Sequence, residues 1–289
     1  MRFGICPTAR PWWDNLKQLH DWVVEVERLG YDGIFMPDHH MVPRMGNELV
    51  DAWTTLSYCA AITHTIKLGS DVTPLPRWVP SQLAKVIATV DVLSNGRTIA
   101  GLGAGAIPDE FINYSPYGWD EASVRVEKFI EGLQVIIRLW TEEKVTFQGK
   151  YYKLKDAVLL PKPVQKPYPP IWAGGMKTRM LKITAIHFNG WVFPRLVPGK
   201  ALPPEEFELQ VRTIKQYAKK YGRNLNDFTF GVLGSINDKA ETIDSFRQLG
   251  CQYYIAELFK GPGLASPYPA NQYIDASKKF AEEIIPSFK

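Results

Sequence analysis

Asp38, His39 and His40 stand together at the end of a short apolar run, Gly33 to Met36, just after Pro37. A carboxylate and two imidazoles in that position can move protons near neutral pH. His39 is the better candidate for the transfer, with Asp38 orienting it or meeting a cofactor. A metal site would need a third ligand at helical or hairpin spacing, and none is visible. A structural histidine in a polar loop is the competing reading.

Three further segments carry candidate chemistry. "GSDVTPLPR", Gly69 to Arg77, reads as a proline-rich loop. "GLGAGAIPDE", Gly101 to Glu110, fits the loose dinucleotide fingerprint when Ala106 is its last member. That fingerprint should open a helix in a first βαβ unit, whereas Ile107-Pro108 and a long loop are expected here. Its small residues allow a ligand close to the backbone. In "IWAGGMKTRML", Ile171 to Leu181, a strand ends in two glycines and a helix follows. Free amides and the helix dipole there can bind a phosphate, with Lys177 and Arg179 adding charge. A tight βα turn accounts for the same residues.

These segments fall at the ends of β-like runs in an alternating pattern. Strands are expected at "RFGIC", Gly33 to Met36, "IKLGS", "TIAGLG", "PIWAGG", "GWVF", "FTFGVL" and "QYYIAEL". Helices follow them, the first opening near Asp14 with Leu16, Leu19, Val23 and Val26 on one face. Others are read at Asp51 to Ile62, Pro80 to Leu93, Glu121 to Trp140, Thr178 to Ile186, Pro204 to Tyr221, Lys239 to Leu249 and Gln272 to Ile285. Eight such units imply an α/β chain folded as a (β/α)8 TIM barrel, whose strand C-termini share one mouth. An open doubly wound sheet would place a Gly-rich loop after the first strand, where this chain has "CPTARPWW". One domain over 1–289 is expected, interrupted at about 142–169 by a hairpin around Gln148-Gly149 and a proline-rich run.

Composition narrows the function classes. The chain has 289 residues, 45% hydrophobic and 22% charged, which suits a large core and excludes a disordered chain. The net charge of +4 is scattered, so no nucleic-acid surface is expected. Three distant cysteines form no disulfide or zinc pattern and suit a reducing compartment. With no signal-like or membrane-length apolar run, a soluble, cytoplasmic protein is expected, with a small-molecule substrate.

Taken together, "GYDGIFMPDHH", "LGSDVTP", "GLGAGAIPDEF", the long stretch from Arg125 to Gly175 and "NGWVF" resemble the luciferase-like monooxygenase superfamily. This group holds FMN-dependent monooxygenases and oxidoreductases that use the deazaflavin coenzyme F420. The resemblance implies a barrel with a ring cofactor in its mouth. Asp38 and His39 would lie against cofactor and substrate. Ala173, Gly174, Gly175 and Met176 would cradle the cofactor phosphate. Ser70, Asp71 and Val72 would support the ring, with a non-proline cis peptide at Ser70-Asp71, and Gly103, Ala104 and Gly105 would lie beside it. Sugar-phosphate dehydrogenases of the group carry a glutamate where Ala106 stands, so neither that substrate nor that acid is expected here. Asp-His favours F420, since FMN members frequently show Glu-His. Hydride transfer to or from a small substrate is then the chemistry. A flavin monooxygenase, whose pocket must keep water from oxygen chemistry, is the alternative. A flavin-binding barrel without catalysis is the third reading. Trp12, Trp13, Trp78, Phe111, Tyr114, Tyr117 and Trp119 can line an apolar mouth or fill the core. The resemblance also implies a homodimer.

Overall fold

A computed structural model describes residues 1–7, 15–41, 49–115, 118–197, 200–258 and 270–289. Trp12, Trp13 and Tyr117 fall outside them. The eight strands are β1 (Arg2–Cys6), β2 (Gly33–Met36), β3 (Lys67–Ser70), β4 (Thr98–Gly103), β5 (Ile171–Ala173), β6 (Gly190–Pro194), β7 (Thr229–Ser235) and β8 (Tyr253–Glu257). All run parallel, each beside its sequence neighbour. β8 closes the cylinder on β1, with Arg2 opposite Tyr253 and Cys6 opposite Glu257. The chain is therefore a closed TIM barrel, and all eight C-terminal strand ends meet at one mouth.

Helices α1 (Leu16–Arg28), α2 (Ala52–Ile62), α3 (Pro80–Leu93), α4 (Pro108–Ile112), α5 (Ala122–Thr141), α6 (Thr178–His187), α7 (Pro204–Lys220), α8 (Ala240–Gln248) and α9 (Tyr273–Glu283) surround it. Their starts follow local chemistry. Asn15 caps α1 by accepting from the Gln18 amide at 3.1 Å, and Asp51 caps α2 from the Thr54 amide at 2.7 Å. Such a cap contributes about 1 kcal/mol. α4 was not expected, since a loop was read after Ile107. Pro108 at its first turn, followed by Asp109 and Glu110, is a helix-start pattern that the preceding glycines obscure.

The strand alternation divides the core. Cys6, Phe35, Ile99, Trp172, Val192, Tyr253 and Ile255 fill the barrel interior, while Phe3, Ile5, Tyr254 and Ala256 pack under the helices. Three rings plug the axis: Phe35 stacks on Trp172 at 5.6 Å between centroids, and Tyr253 meets both edge-on. Gly101 is required by the wall itself, because a Cβ there would lie 1.7 Å from the Ser70 carbonyl oxygen. Outside the barrel, Val145–Gln148 and Lys153–Ala157 form the expected antiparallel hairpin. Glu131 of α5 ties down its turn by accepting the Lys150, Tyr151 and Tyr152 amides. Among the described residues, no helix is long and apolar enough to cross a membrane.

Candidate active site at the barrel mouth

A cavity of about 760 Å³ opens at the C-terminal end of the strands, within the usual range for a small-molecule site. His39, Asp71, Val72, Gly103, Ala104, Gly105, Gly174, Gly175 and Met176 all line it. Four segments far apart in sequence thus converge on one space. Asp38, Ser70 and Ala173 do not line it.

His39 follows β2 and points one ring nitrogen at α4: Nδ1 lies 3.1 Å from Glu110 Oε2. Glu110 is 1% exposed, and its other oxygen accepts from the His40 amide at 2.6 Å and from Arg77 Nη1 at 3.1 Å. Burial works to raise the Glu110 pKa. The His39 hydrogen bond, the His39 and Arg77 charges and the His40 amide outweigh it and hold the carboxyl below its ordinary value. Glu110 is thus a fixed anion. An ionised carboxylate only accepts, so Nδ1 carries the proton and, in the neutral form of the ring, the lone pair is on Nε2. Behind this pair, Arg77 also bonds Asp38, which is 2% exposed. Asp38 Oδ2 and Arg77 Nε find no partner among the described residues. Asp38 is thus linked to His39 through Arg77 and Glu110, while His39 itself lines the cavity. Ala106 brings no acid to the mouth, but Glu110, four residues further on, does reach the imidazole. Helix α4 carries it there.

The segment after β3 is braced from below. Trp53 Nε1 donates to Thr73 Oγ1 at 3.0 Å, Thr73 to Ser70 Oγ at 3.0 Å, and Ser70 to the Gly101 carbonyl at 2.8 Å. Ser70 is thereby a buried structural hydroxyl. The non-proline cis peptide lies at Asp71-Val72, one residue after the expected Ser70-Asp71 bond. The ladder with β2 persists through Ser70 opposite Met36, and the Asp71 amide still bonds Met36 O at 2.9 Å. The chain thus departs from strand geometry only after that amide. Val72 then overlies two glycines: a Cβ on Gly103 or Gly174 would come within 2.8 or 2.9 Å of its Cγ2. Together they make a wall to which Gly103 and Gly174 add no side chain.

Asp71 faces the cavity beside this wall. Burial pushes its carboxyl from an ordinary 3.8 up to about 7, against an opposing pull from His39. Glu257, at the end of β8, is raised well above its ordinary value by burial and by Asp71. Cys6, opposite it on β1, is raised by burial and by both carboxyls.

On the other side of the mouth, β5 turns into α6. Ala173 is buried in the sheet opposite Leu102 and Trp191, and the Gly174 amide donates to Leu102 O at 3.2 Å. Of the residues expected to cradle a phosphate, Ala173 is thus held in the sheet and the Gly174 amide is engaged, while Gly175 and Met176 line the cavity ahead of α6. Gly175 has φ +101°, which suits glycine, and Trp191 Nε1 holds its carbonyl at 2.9 Å. Lys177, Arg179 and Arg125 line the same side. Arg125 lies over the Trp119 ring at 3.5 Å. A glycine-lined wall, an open mouth and a cationic turn at a helix start fit a ring cofactor with a phosphate tail. Phe111, read as lining the mouth or filling the core, is buried edge-on against Trp119 and holds α4 in place. Tyr114 packs near His40, and Trp78 packs against the main core.

Arg77 and Glu110 were not singled out as functional by sequence. The signal was present as a lone arginine between prolines and apolar residues, and as acids following a helix-starting proline.

Residues 1–245 match the family described as luciferase-like monooxygenase. An F420-dependent glucose-6-phosphate dehydrogenase of Microbacterium testaceum is 32% identical over 213 residues, 70% of this chain and 61% of that protein. One from Kineococcus radiotolerans is 35% identical over 162 residues, 55% of this chain and 47% of its own length. The chain thus spans about half to three-fifths of the curated relatives it matches. In fold, it is similar to the monooxygenase RslO1 from Streptomyces bottropensis, with a TM-score of 0.81 at 21% identity, covering all of both chains. It is also similar to an F420-dependent secondary alcohol dehydrogenase, with a TM-score of 0.79 at 18% identity, again covering all of both chains.

Proposed function

The chain belongs to the luciferase-like monooxygenase family, and from that premise we propose that it is an oxidoreductase using coenzyme F420. It moves a hydride to or from a small organic substrate at the barrel mouth. The observation that carries this reading is the His39–Glu110 pair facing the same cavity as the Val72, Gly103 and Gly174 wall. The F420-dependent enzymes among its relatives support the choice of cofactor.

When bound, the deazaflavin supplies or accepts the hydride. The residues of the chain do the rest. Val72 and the two glycines offer the ring a surface. Gly175, Met176 and the start of α6, with Lys177 and Arg179 near, hold its phosphate. His39 Nε2 takes the proton of a substrate hydroxyl as hydride leaves the carbon, and returns it in the reverse direction. Glu110 fixes the tautomer and balances the imidazolium, and Arg77 anchors Glu110. Asp38 completes the buried ion cluster that keeps Arg77 in place.

The test is a titration of the purified chain with F420 and with FMN, followed by single-turnover reduction of the bound cofactor by a panel of alcohols and sugar phosphates. Tight F420 binding and reduction by one substrate class support the reading. Binding of FMN alone, with oxygen consumption from its reduced form, would replace it with the monooxygenase alternative. Cofactor binding without turnover of any compound would leave a non-catalytic barrel. The homodimer is part of the same proposal and is checked by light scattering.

A further inference from the structure

Oxidation of an alcohol releases a hydride and a proton, and His39 can accept that proton. Reduction of the deazaflavin to its dihydro form consumes the hydride and one further proton, so the mouth also needs an acid. Glu110 cannot serve, because its oxygens are taken by His39, His40 and Arg77 and it is held ionised. Asp38 is bound to Arg77 and lies off the cavity.

We propose that Asp71 is that acid: a carboxyl at the edge of the cofactor wall, which donates to the ring and supplies the proton its reduction takes up. This rests on the F420 reading above. Asp71 lines the cavity with His39 and immediately precedes Val72, which forms the wall. Among the described residues nothing gives its carboxyl a hydrogen bond, whereas Glu110 accepts from four donors. The groups facing Asp71 are His39 after β2, Glu257 at the end of β8 and Cys6 at the end of β1. The strand ends from β4 to β7 add Gly103, Gly174, Val192, Pro194 and Leu233, none charged, and the other charged lining groups, Glu110, Arg125, Lys177 and Arg179, come from α4, α5 and the start of α6. Burial, with Asp71 adding to it, pushes the Glu257 carboxyl up in the same direction. Two carboxyls in one mouth are thus pushed in opposite directions, Glu110 down and Asp71 up. Such a split is how an acid and a base are told apart at one pH.

In the oxidative direction the hydroxyl proton goes to His39, the hydride to the cofactor and the Asp71 proton to the reduced ring. Asp71 then recovers a proton from solvent, and His39 returns its own. In the reductive direction each transfer reverses.

The experiment has a ligand-free arm and a cofactor arm, on the parent chain, Asp71→Asn and Glu257→Gln. Infrared difference spectra between about pH 6 and about pH 8.5 should show a protonated carboxylic acid disappearing in the parent and in Glu257→Gln, and absent in Asp71→Asn. F420 affinity of the parent should fall about tenfold over the same range, as the donor becomes a carboxylate. Asp71→Asn, a donor that cannot ionise, should lose that fall, keep its low-pH affinity and turn over about a hundredfold more slowly. Glu257→Gln should keep the fall. The proposal is overturned if the infrared band follows Glu257, or if the F420 profiles of parent and Asp71→Asn coincide. Failure of F420 to bind the parent at any pH would instead overturn the F420 reading, and the proton donation to the ring with it. The infrared arm would then still report whether Asp71 holds its proton.

Discussion

Replacing Glu110 by Gln changes one atom in the mouth and should nearly abolish turnover while leaving the barrel folded. The reason lies in which oxygen does what. Oε1 accepts from Arg77 and the His40 amide, and Oε2 faces His39 Nδ1. A glutamine must place its carbonyl on the side of the two donors, so its NH2 group meets Nδ1. Nδ1 then has to accept, the imidazole proton moves to Nε2, and the nitrogen facing substrate loses its lone pair. Loss of a positioned general base costs about 10²- to 10⁴-fold in rate. The structural cost is smaller. Arg77 keeps Asp38 and a neutral acceptor, so about 1–2 kcal/mol is lost as a charge-assisted bond becomes an ordinary one. That corresponds to a fall in Tm of about 2–6 °C. Steady-state turnover, F420 titration and calorimetry on Glu110→Gln read the three quantities separately. Turnover within about threefold of the parent would refute the tautomer argument. So would a fall in rate accounted for by weaker cofactor binding alone.

Gly174→Val should weaken F420 binding first, since its Cβ alone would press to 2.9 Å of Val72; fluorescence titration checks this against an unchanged His39–Glu110 rate step. Gly101→Ala should prevent folding or cost more than about 3 kcal/mol, because the clash is with a backbone oxygen that cannot swing away; soluble yield and urea midpoint read it. Stability should also fall as pH rises from about 4 to about 7 because of Asp71. Its folded pKa lies above its ordinary 3.8, so the bound proton's contribution is full below the unfolded pKa and lost through about 7. The shift corresponds to at most about 4 kcal/mol, and a partly wet cavity should return roughly half of it. Asp71→Asn should flatten the parent's Tm profile over that range, and an unchanged slope would place the titration elsewhere.

The barrel and the convergence on its mouth were legible because they rest on local signals. Strand-length apolar runs ended in polar or glycine residues, and capped amphipathic helices followed. The network around His39 was not legible. Glu110 lies 71 residues from His39 in the chain, and Arg77 39 residues from Asp38. No spacing rule joins groups that meet only when a barrel closes. Gly174 shows a different limit. Its type announced a close backbone approach, yet only the sheet reveals that its own amide is already engaged with Leu102. The cis bond was displaced by one residue for a similar reason, since the last ladder contact, from Asp71 to Met36, is a tertiary fact.

The plug of Phe35, Trp172 and Tyr253 has a kinetic consequence. It seals the strand axis beneath the cavity, so cofactor and substrate enter from the mouth side. Where two occupants use one doorway, the deeper must arrive first and leave last. Binding should therefore be ordered. The second occupant should slow the escape of the first, and an analogue of the outer one should trap the inner one in place.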